Sequence, residues 1–148
     1  MRFRFLVFVC GISVAASSAA VDLRVGSFKI DATPPVGSPL CFALVPPSTG
    51  TSDPLSVRGV VLQADGDEPI VLVAVDWVGI GNTGHDEWRT AIAKACGTTV
   101  DRVAVHTLHQ HDAPGCDFLA EEVAAAAGLS GELFDVAFAR DVIARSAD

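Results

Sequence analysis

The chain has 148 residues, enough for one domain with a hydrophobic core, and half of its residues are hydrophobic. Its formal net charge of −8 argues against a nucleic-acid surface, because phosphate binding needs clustered lysine and arginine side chains. A nucleic-acid partner is therefore not expected.

Residues 1–20 are predicted to be a signal peptide. The basic start MRFR is followed by the apolar run FLVFVCGISVAA and by the small residues SSAA. The apolar run is too short to span a membrane as a helix, so we expect cleavage after Ala20 and an exported protein, periplasmic or secreted. A lipoprotein anchored through Cys10 is the alternative, which the bulky neighbours Phe8 and Val9 disfavour. The mature chain is expected to have no transmembrane segment.

Three cysteines, Cys41, Cys96 and Cys116, remain after such cleavage. Their number is odd, so the sequence leaves open which two of them could pair in an exported protein. None of them belongs to a C-x-x-C motif, and we expect buried, inert thiols without redox chemistry.

The first half of the mature chain is predicted to be mostly β-structure. Residues 24–30 are predicted to form a short strand, which the sequence ATPPVGSP then breaks. The proline-rich residues 41–54 are predicted to form either a loop over the functional site or a long connection. The runs SVRGVVLQA and PIVLVAVDW are separated by DGDE, which predicts a β-hairpin. Residues 70–75 are apolar at every position, which is typical of a strand covered on both sides.

A helix and another strand are predicted to follow the hairpin. The segment HDEWRTAIAKACG places Trp88, Ile92 and Ala95 on one helix face, with His85 solvated in the first turn and Gly97 at the end. The segment DRVAVHTL reads as the next strand. Because a strand–helix–strand unit joins parallel strands, we expect residues 70–75 and 102–107 to be neighbours.

The rest of the chain is predicted to be mostly helical, with a break at the sequence GLSG. The predicted fold is therefore α/β, with a mixed, partly parallel sheet and helices packed on it.

Polar side chains follow both of the predicted parallel strands, where ligands of such sheets bind. Asp76 ends the first strand, and the sequence VHTLHQHDAPG follows from the second. If the chain stays extended, His109 and His111 share a face and His106 points the opposite way. Two imidazoles in an H-x-H sequence are suitable Zn²⁺ ligands, and a carboxylate from Asp76 or Asp112 would hold the second N–H of one ring.

Each of these residues also has a simpler interpretation. The H-x-H sequence is a weak signal, because many such histidines lie in ordinary polar loops. Asp76 could cap the following helix or bind backbone amides in the GIGN turn. His106 is expected to be a packed or hydrogen-bonded histidine rather than a ligand.

Three segments together resemble the N-terminal part of the neutral/alkaline non-lysosomal ceramidase family. VGSFKIDATPPVGSPL resembles its opening strand and turn, and VLVAVDWVGI resembles its buried strand that ends in Asp. VDRVAVHTLHQHDAPG resembles the strand that leads to its THTHSGPG motif. The order and spacing agree over about residues 24–115.

The resemblance implies a zinc enzyme that hydrolyses the amide bond of N-acyl sphingoid lipids. In that family the zinc ion is held by two His, a Glu and a Tyr. Carried over to this chain, the motif makes His109 a zinc ligand and His111 a catalytic group that assists the substrate or the attacking water. Asp76 and Asp112 then have supporting positions behind the ligands. Gln110, Asp112 and Ala113 depart from the family motif and indicate a divergent branch.

The resemblance also implies that residues 21–148 are the N-terminal portion of a larger catalytic domain. The chain has no Tyr and no His after His111, so the remaining zinc ligands are expected outside it. The predicted function is zinc-dependent hydrolysis of a small-molecule or lipid amide, with membrane contact only through the substrate. The alternatives are an exported, non-catalytic binding module on the same scaffold and a zinc hydrolase of another amide or ester.

Overall fold

The computed structural model describes residues 22–148 of the chain, so the predicted signal peptide lies outside the described residues. The strands are β1 (Leu23–Asp31), β2 (Ser56–Ala64), β3 (Ile70–Val75), β4 (Gly79–Ile80), β5 (Val103–Thr107) and β6 (Gly115–Cys116). The α-helices are α1 (Asn82–Cys96), α2 (Phe118–Ala126) and α3 (Val136–Ser146). A short left-handed turn lies at Cys41–Ala43, and a 3-10 turn lies at Val100–Arg102.

The main sheet has the strand order β1-β2-β3-β5. The pairs β1–β2 and β2–β3 are antiparallel, and β3–β5 is parallel with Val73 opposite Val105. The predicted hairpin and the predicted parallel pair on either side of α1 are therefore both present, and the mixed α/β fold is confirmed. A second, two-stranded parallel sheet joins β4 to β6.

The core lies between one face of the main sheet and the helices α1 and α3. Val71, Val73 and Val75 of β3 point into it and are fully buried. Trp77 and Trp88 meet there edge to face, with ring centroids 5.8 Å apart, a favoured geometry for aromatic pairs. α1 also buries Ile92 and Ala93, whereas the predicted Ala95 is exposed, because the face that packs on the core continues through Cys96 instead.

The opposite face of the main sheet is open, which contradicts the predicted coverage on both sides. Ile70 and Leu72 of β3 are 42% and 47% exposed, because α1 and α3 both pack on the other face. The open face has an apolar part and a basic row. The apolar part is formed by Val25, Val60, Leu62, Ile70 and Leu72. The basic row consists of Lys29 on β1, Arg58 on β2 and His106 on β5, with Ala74 of β3 between Arg58 and His106.

Within residues 22–148, none of the helices combines the length and the apolar character that crossing a membrane requires.

Candidate functional site

The candidate site lies at the carboxyl edge of the parallel pair β3–β5. Val75 and Thr107 are opposite each other at the ends of these strands, so Asp76 and residues 108–113, here called the histidine loop, follow the same sheet edge. The amide of Leu108 donates to the Val75 carbonyl at 3.1 Å. Beyond the loop, the Val78 amide donates to the Pro114 carbonyl, also at 3.1 Å. One end of the loop is therefore fixed to the last residue of β3, and the other end is fixed to the segment that follows this strand.

The imidazoles of His109 and His111 converge within this loop. Their Nε2 atoms are 3.3 Å apart, and the two rings are nearly perpendicular, at 84°. Two nitrogens bound at about 2.05 Å to one tetrahedral zinc ion would be about 3.3 to 3.4 Å apart. The observed spacing therefore suits two ligands of one metal ion, and it also suits a hydrogen bond between the rings when the His111 Nε2 carries a proton.

An extended backbone was predicted to place these two rings on one face, but the loop brings them together through a turn. His109 has a φ of +59°, in the left-handed region, so the chain turns at this residue instead of staying extended. A left-handed residue other than glycine costs roughly 1–3 kcal/mol and persists only where the surrounding structure holds it. The convergence is a property of this turn and not of strand alternation.

A backbone carbonyl orients the His109 ring. Its Nδ1 donates to the Val78 carbonyl oxygen at 2.8 Å. Because a carbonyl can only accept, the proton of the neutral ring lies on Nδ1, and Nε2 keeps a free lone pair. Metal-bound histidines usually have such an acceptor behind them. In this structure Val78 supplies the contact that we expected from Asp76 or Asp112.

Asp76 points away from the two imidazoles, onto the open face of the sheet. Because side chains alternate along a strand, the residue after the inward Val75 faces the other way. Its Oδ2 accepts from the amide and the hydroxyl of Ser56, both at 2.8 Å, and the Ser56 Oγ accepts from the Arg58 Nε at 3.0 Å. The predicted contact of Asp76 with a histidine is not formed. The alternatives of capping α1 or binding backbone amides of the GIGN turn are not formed either, because the backbone amide that Asp76 binds is that of Ser56 in β2.

The other two histidines lie outside the converging pair. His106 was expected to be packed or hydrogen-bonded, but it is exposed on the open sheet face, and its Nδ1 is 3.5 Å from the carbonyl oxygen of the neighbouring Thr107. His85 was expected to be solvated, but it is half-buried, and its Nε2 is 3.3 Å from the Val105 carbonyl, which it contacts from α1. The packing of α1 against β5 explains this difference.

A cavity of about 500 Å³ separates the histidine loop from the proline-rich segment. Gln110 and Asp112, which alternate with the two histidines, line it from one side. Residues 45–53 form the opposite wall of this cavity. The proline-rich segment, which the sequence predicted to be either a loop over the site or a long connection, therefore lies beside the site. The Asp112 amide donates to the Gln110 side-chain oxygen at 2.9 Å, and no hydrogen bond within residues 22–148 joins the Asp112 carboxylate to an imidazole.

The proline-rich segment is attached to the end of the histidine loop by a left-handed turn. Cys41, Phe42 and Ala43 all have φ between 50° and 63°. The Cys41 amide donates to the Ala113 carbonyl at 2.8 Å, and the Phe42 ring covers Gly115 so closely that a Cβ there would lie 2.1 Å from a ring carbon. Gly115 is therefore needed for this contact, a role that its place in the sequence did not reveal.

The residues present fit a zinc ion in part. His109 and His111 supply two convergent nitrogens, where zinc sites use about four ligands in all. Within the described part of the chain, no group of three or more His, Cys, Asp or Glu side chains is arranged to hold a metal ion. The pair therefore accounts for two ligand positions at most.

No family model, curated protein or solved structure shows significant similarity to the chain. The ceramidase resemblance therefore depends on the three sequence segments and remains a hypothesis about the site.

Proposed function

We propose that the chain forms part of an exported zinc-dependent amide hydrolase. The observation that carries this proposal is the hydrogen bond that fixes the His109 ring through Nδ1 and leaves its Nε2 lone pair free, with the His111 ring beside it. A zinc ion at this position would polarise the substrate carbonyl and lower the pKa of a water molecule to about 7.

His109 is the proposed metal ligand. Its Nδ1 proton is held by the Val78 carbonyl, so Nε2 presents a lone pair without a prior change of tautomer. The left-handed turn at the same residue keeps the ring in this position relative to the loop. Removing this side chain would leave the site without its oriented nitrogen.

His111 is the proposed catalytic group. Its Nε2 is 3.3 Å from that of His109, so the His111 ring would lie beside a metal ion bound to His109. There it would donate to the oxygen of the substrate carbonyl as negative charge develops on that oxygen. The exposed position of His111 lets it exchange its proton with solvent between turnovers.

The proposed substrate is a small-molecule or lipid amide, and the cavity lined by Gln110 and Asp112 is the proposed place for the part next to the scissile bond. N-acyl sphingoid lipids are the first substrates to test, because the ceramidase resemblance points to them. The remaining zinc ligands are proposed to lie outside this chain.

Three alanine variants of the full-length protein test this proposal. His109→Ala should lose bound zinc and nearly all hydrolysis, because it removes the oriented ligand. His111→Ala should keep most of the zinc and lose about a hundredfold or more in turnover, as for an acid–base or oxyanion group. His106→Ala is the matched control, because that histidine lies on the open sheet face. Zinc content is measured by atomic absorption and turnover with a fluorescent ceramide.

Equal zinc content in wild type and His109→Ala would refute the ligand assignment. Loss of zinc in His111→Ala would instead make His111 a second ligand and refute its catalytic role.

A further inference from the structure

The open face of the main sheet leaves large apolar side chains accessible. Val25 is 63% exposed, and Val60 is 38% exposed. The register pairs Val60 with Leu72 and Leu62 with Ile70, so the apolar part includes two adjacent rows across β2 and β3. None of these residues belongs to the histidine loop, so the apolar part is separate from the proposed zinc site.

Charges of opposite sign lie at the two ends of the apolar part. The basic row lies toward the carboxyl end of β3. The other end carries four exposed carboxylates, here called the acidic end: Asp65, Asp67 and Glu68 of the β2–β3 turn, and Asp101 shortly before β5. Asp101 lies beside the apolar part, because it lines a cavity together with Leu72.

Two arginines lie near the acidic end but do not neutralise it. Arg24 pairs with Asp65 at 3.4 Å, in an ion pair whose side chains are 68% and 63% exposed. The Arg102 guanidinium donates to the backbone carbonyls of Glu68 and Pro69. Because the acidic end has four carboxylates and these two cations, it keeps a net negative charge.

The cations of the basic row are available for a partner. None of the ion pairs within residues 22–148 involves Lys29 or Arg58. The Arg58 Nε donates to the Ser56 hydroxyl, which leaves the rest of its guanidinium exposed. Asp31 and Asp76 lie in the next row, and each already accepts from a backbone amide.

This order of charges makes the face complementary to a second copy of itself. A two-fold axis that lies in the interface and runs across the strands reverses the strand direction in the partner. Arg58 and Asp65 are about 24 Å apart along the chain direction of β2, with the apolar rows between them. The axis therefore brings the basic row of each copy to the acidic end of the other and places the apolar part on itself. An axis along the strands would instead place one basic row on the other, which is unfavourable.

The size of the face is sufficient for a weak dimer. At about 3.4 Å per residue and 4.8 Å per strand, the four strands cover about 470 Å² in projection. Two such faces together bury about 1,000 Å², near the lower limit for a specific interface. We therefore expect a dissociation constant in the micromolar range.

We propose that two copies of this chain pack with their open sheet faces together and their strands antiparallel, with the basic row of each copy facing the acidic end of the other. Sheets that pack face to face in an aligned manner keep their strand directions within about 30° of each other. Burial of the apolar part stabilises the dimer, and the charges determine its direction.

Charge reversal at the two ends tests this proposal, with the dimer measured by sedimentation equilibrium of the mature chain. One variant carries Lys29→Glu and Arg58→Glu, and the other carries Asp65→Lys and Asp67→Lys. Each variant alone should dimerise at least about tenfold more weakly than wild type, because like charges then meet at both ends of the interface. An equimolar mixture should form a heterodimer, because each reversed end meets an end of opposite charge.

Lys94→Glu is the matched control. Lys94 is exposed near the end of α1, which packs on the other face of the sheet, so this charge reversal should leave the dimer unchanged. All of the substituted side chains are exposed, and circular dichroism checks that each variant folds. The single variants Arg58→Glu and Asp67→Lys replace a double variant that does not fold.

Three results would overturn the proposal. A wild-type chain that stays monomeric at concentrations well above the micromolar range would mean that something other than a second copy covers this face. Variants that dimerise as strongly as wild type would place the interface elsewhere. A mixture that associates no better than its separate components would rule out the antiparallel arrangement.

Discussion

At the scale of single residues, Cys116 makes stability depend on pH. Burial raises the pKa of its thiol from an ordinary value of 9.0 to about 12. Above pH 9 the unfolded chain loses this proton while the folded chain keeps it. The stabilising contribution is therefore complete below pH 9 and is lost progressively as the pH rises toward 12.

We predict that the wild-type protein loses more stability than Cys116→Ala between pH 8 and pH 10, by about 1.4 kcal/mol for one proton over one pH unit above 9. The alanine lowers stability at both pH values but does not titrate, and other groups titrate in both proteins. Urea unfolding at the two pH values measures the difference. Parallel pH dependence in the two proteins would show that the thiol is not protected.

The sequence indicated which cysteines and histidines matter, but it did not indicate which backbone atom orients His109. The expectation of buried, unpaired thiols agrees with free Cys41 and Cys116, both buried, although Cys96 is half-buried. His109 could be selected as a candidate because histidines are rare and clustered in this chain. The Val78 carbonyl, which accepts the hydrogen bond from its ring, could not be predicted. Every residue has a backbone carbonyl, so the identity of residue 78 gives no signal.

At the scale of elements, the contact of the Phe42 ring with Gly115 attaches the proline-rich segment to β6. A Cβ at Gly115 would lie 2.1 Å from the Phe42 ring, so the ring would have to move. We predict that Gly115→Ala lowers the free energy of unfolding by about 1–3 kcal/mol, the usual cost of overpacking. Urea unfolding measures this loss.

Gly50→Ala is the control for this prediction. Nothing lies within 4 Å of a Cβ at Gly50, and it is exposed in the same proline-rich segment. We expect its effect to be within about 0.5 kcal/mol, as for most surface substitutions. Equal effects of the two variants would mean that the Phe42 ring does not pack on Gly115 in solution.

The regular elements were predictable from local signals, whereas these turns were not. The DGDE sequence and its flanking β-branched runs indicated the β2–β3 hairpin, and Gly97 ends α1 in the left-handed conformation as expected. The left-handed residues Cys41–Ala43 and His109 carry no such signal, because tertiary contacts of Phe42 and of the His109 ring hold them.

At the scale of the whole molecule, the open sheet face determines how the chain behaves in solution. Ile70 and Leu72 lie beside Val25 and Val60 and form a continuous apolar surface. Such surfaces bind hydrophobic dyes and favour self-association. The sequence indicated an apolar strand, but alternation alone could not show that both helices that contact the main sheet pack on the same face.

We predict that Leu72→Lys lowers the fluorescence of a bound hydrophobic dye severalfold and shifts the chain toward the monomer. Leu129→Lys is the matched control, because Leu129 is also exposed, at 55%, but lies in a loop after α2. Dye fluorescence and analytical ultracentrifugation measure the two effects. Equal changes in both variants would mean that the sheet face is not the dye-binding surface.

The hydrogen bond between the His109 ring and the Val78 carbonyl has a consequence for how this site can evolve. A carboxylate that orients a histidine disappears with one substitution, but a main-chain carbonyl remains whichever residue occupies position 78. The tautomer of His109 is thus insensitive to the identity of its partner and sensitive to the path of the backbone between β3 and β4. Substitutions that shift this path, such as those at the buried Trp77, would alter the histidine ring from a distance.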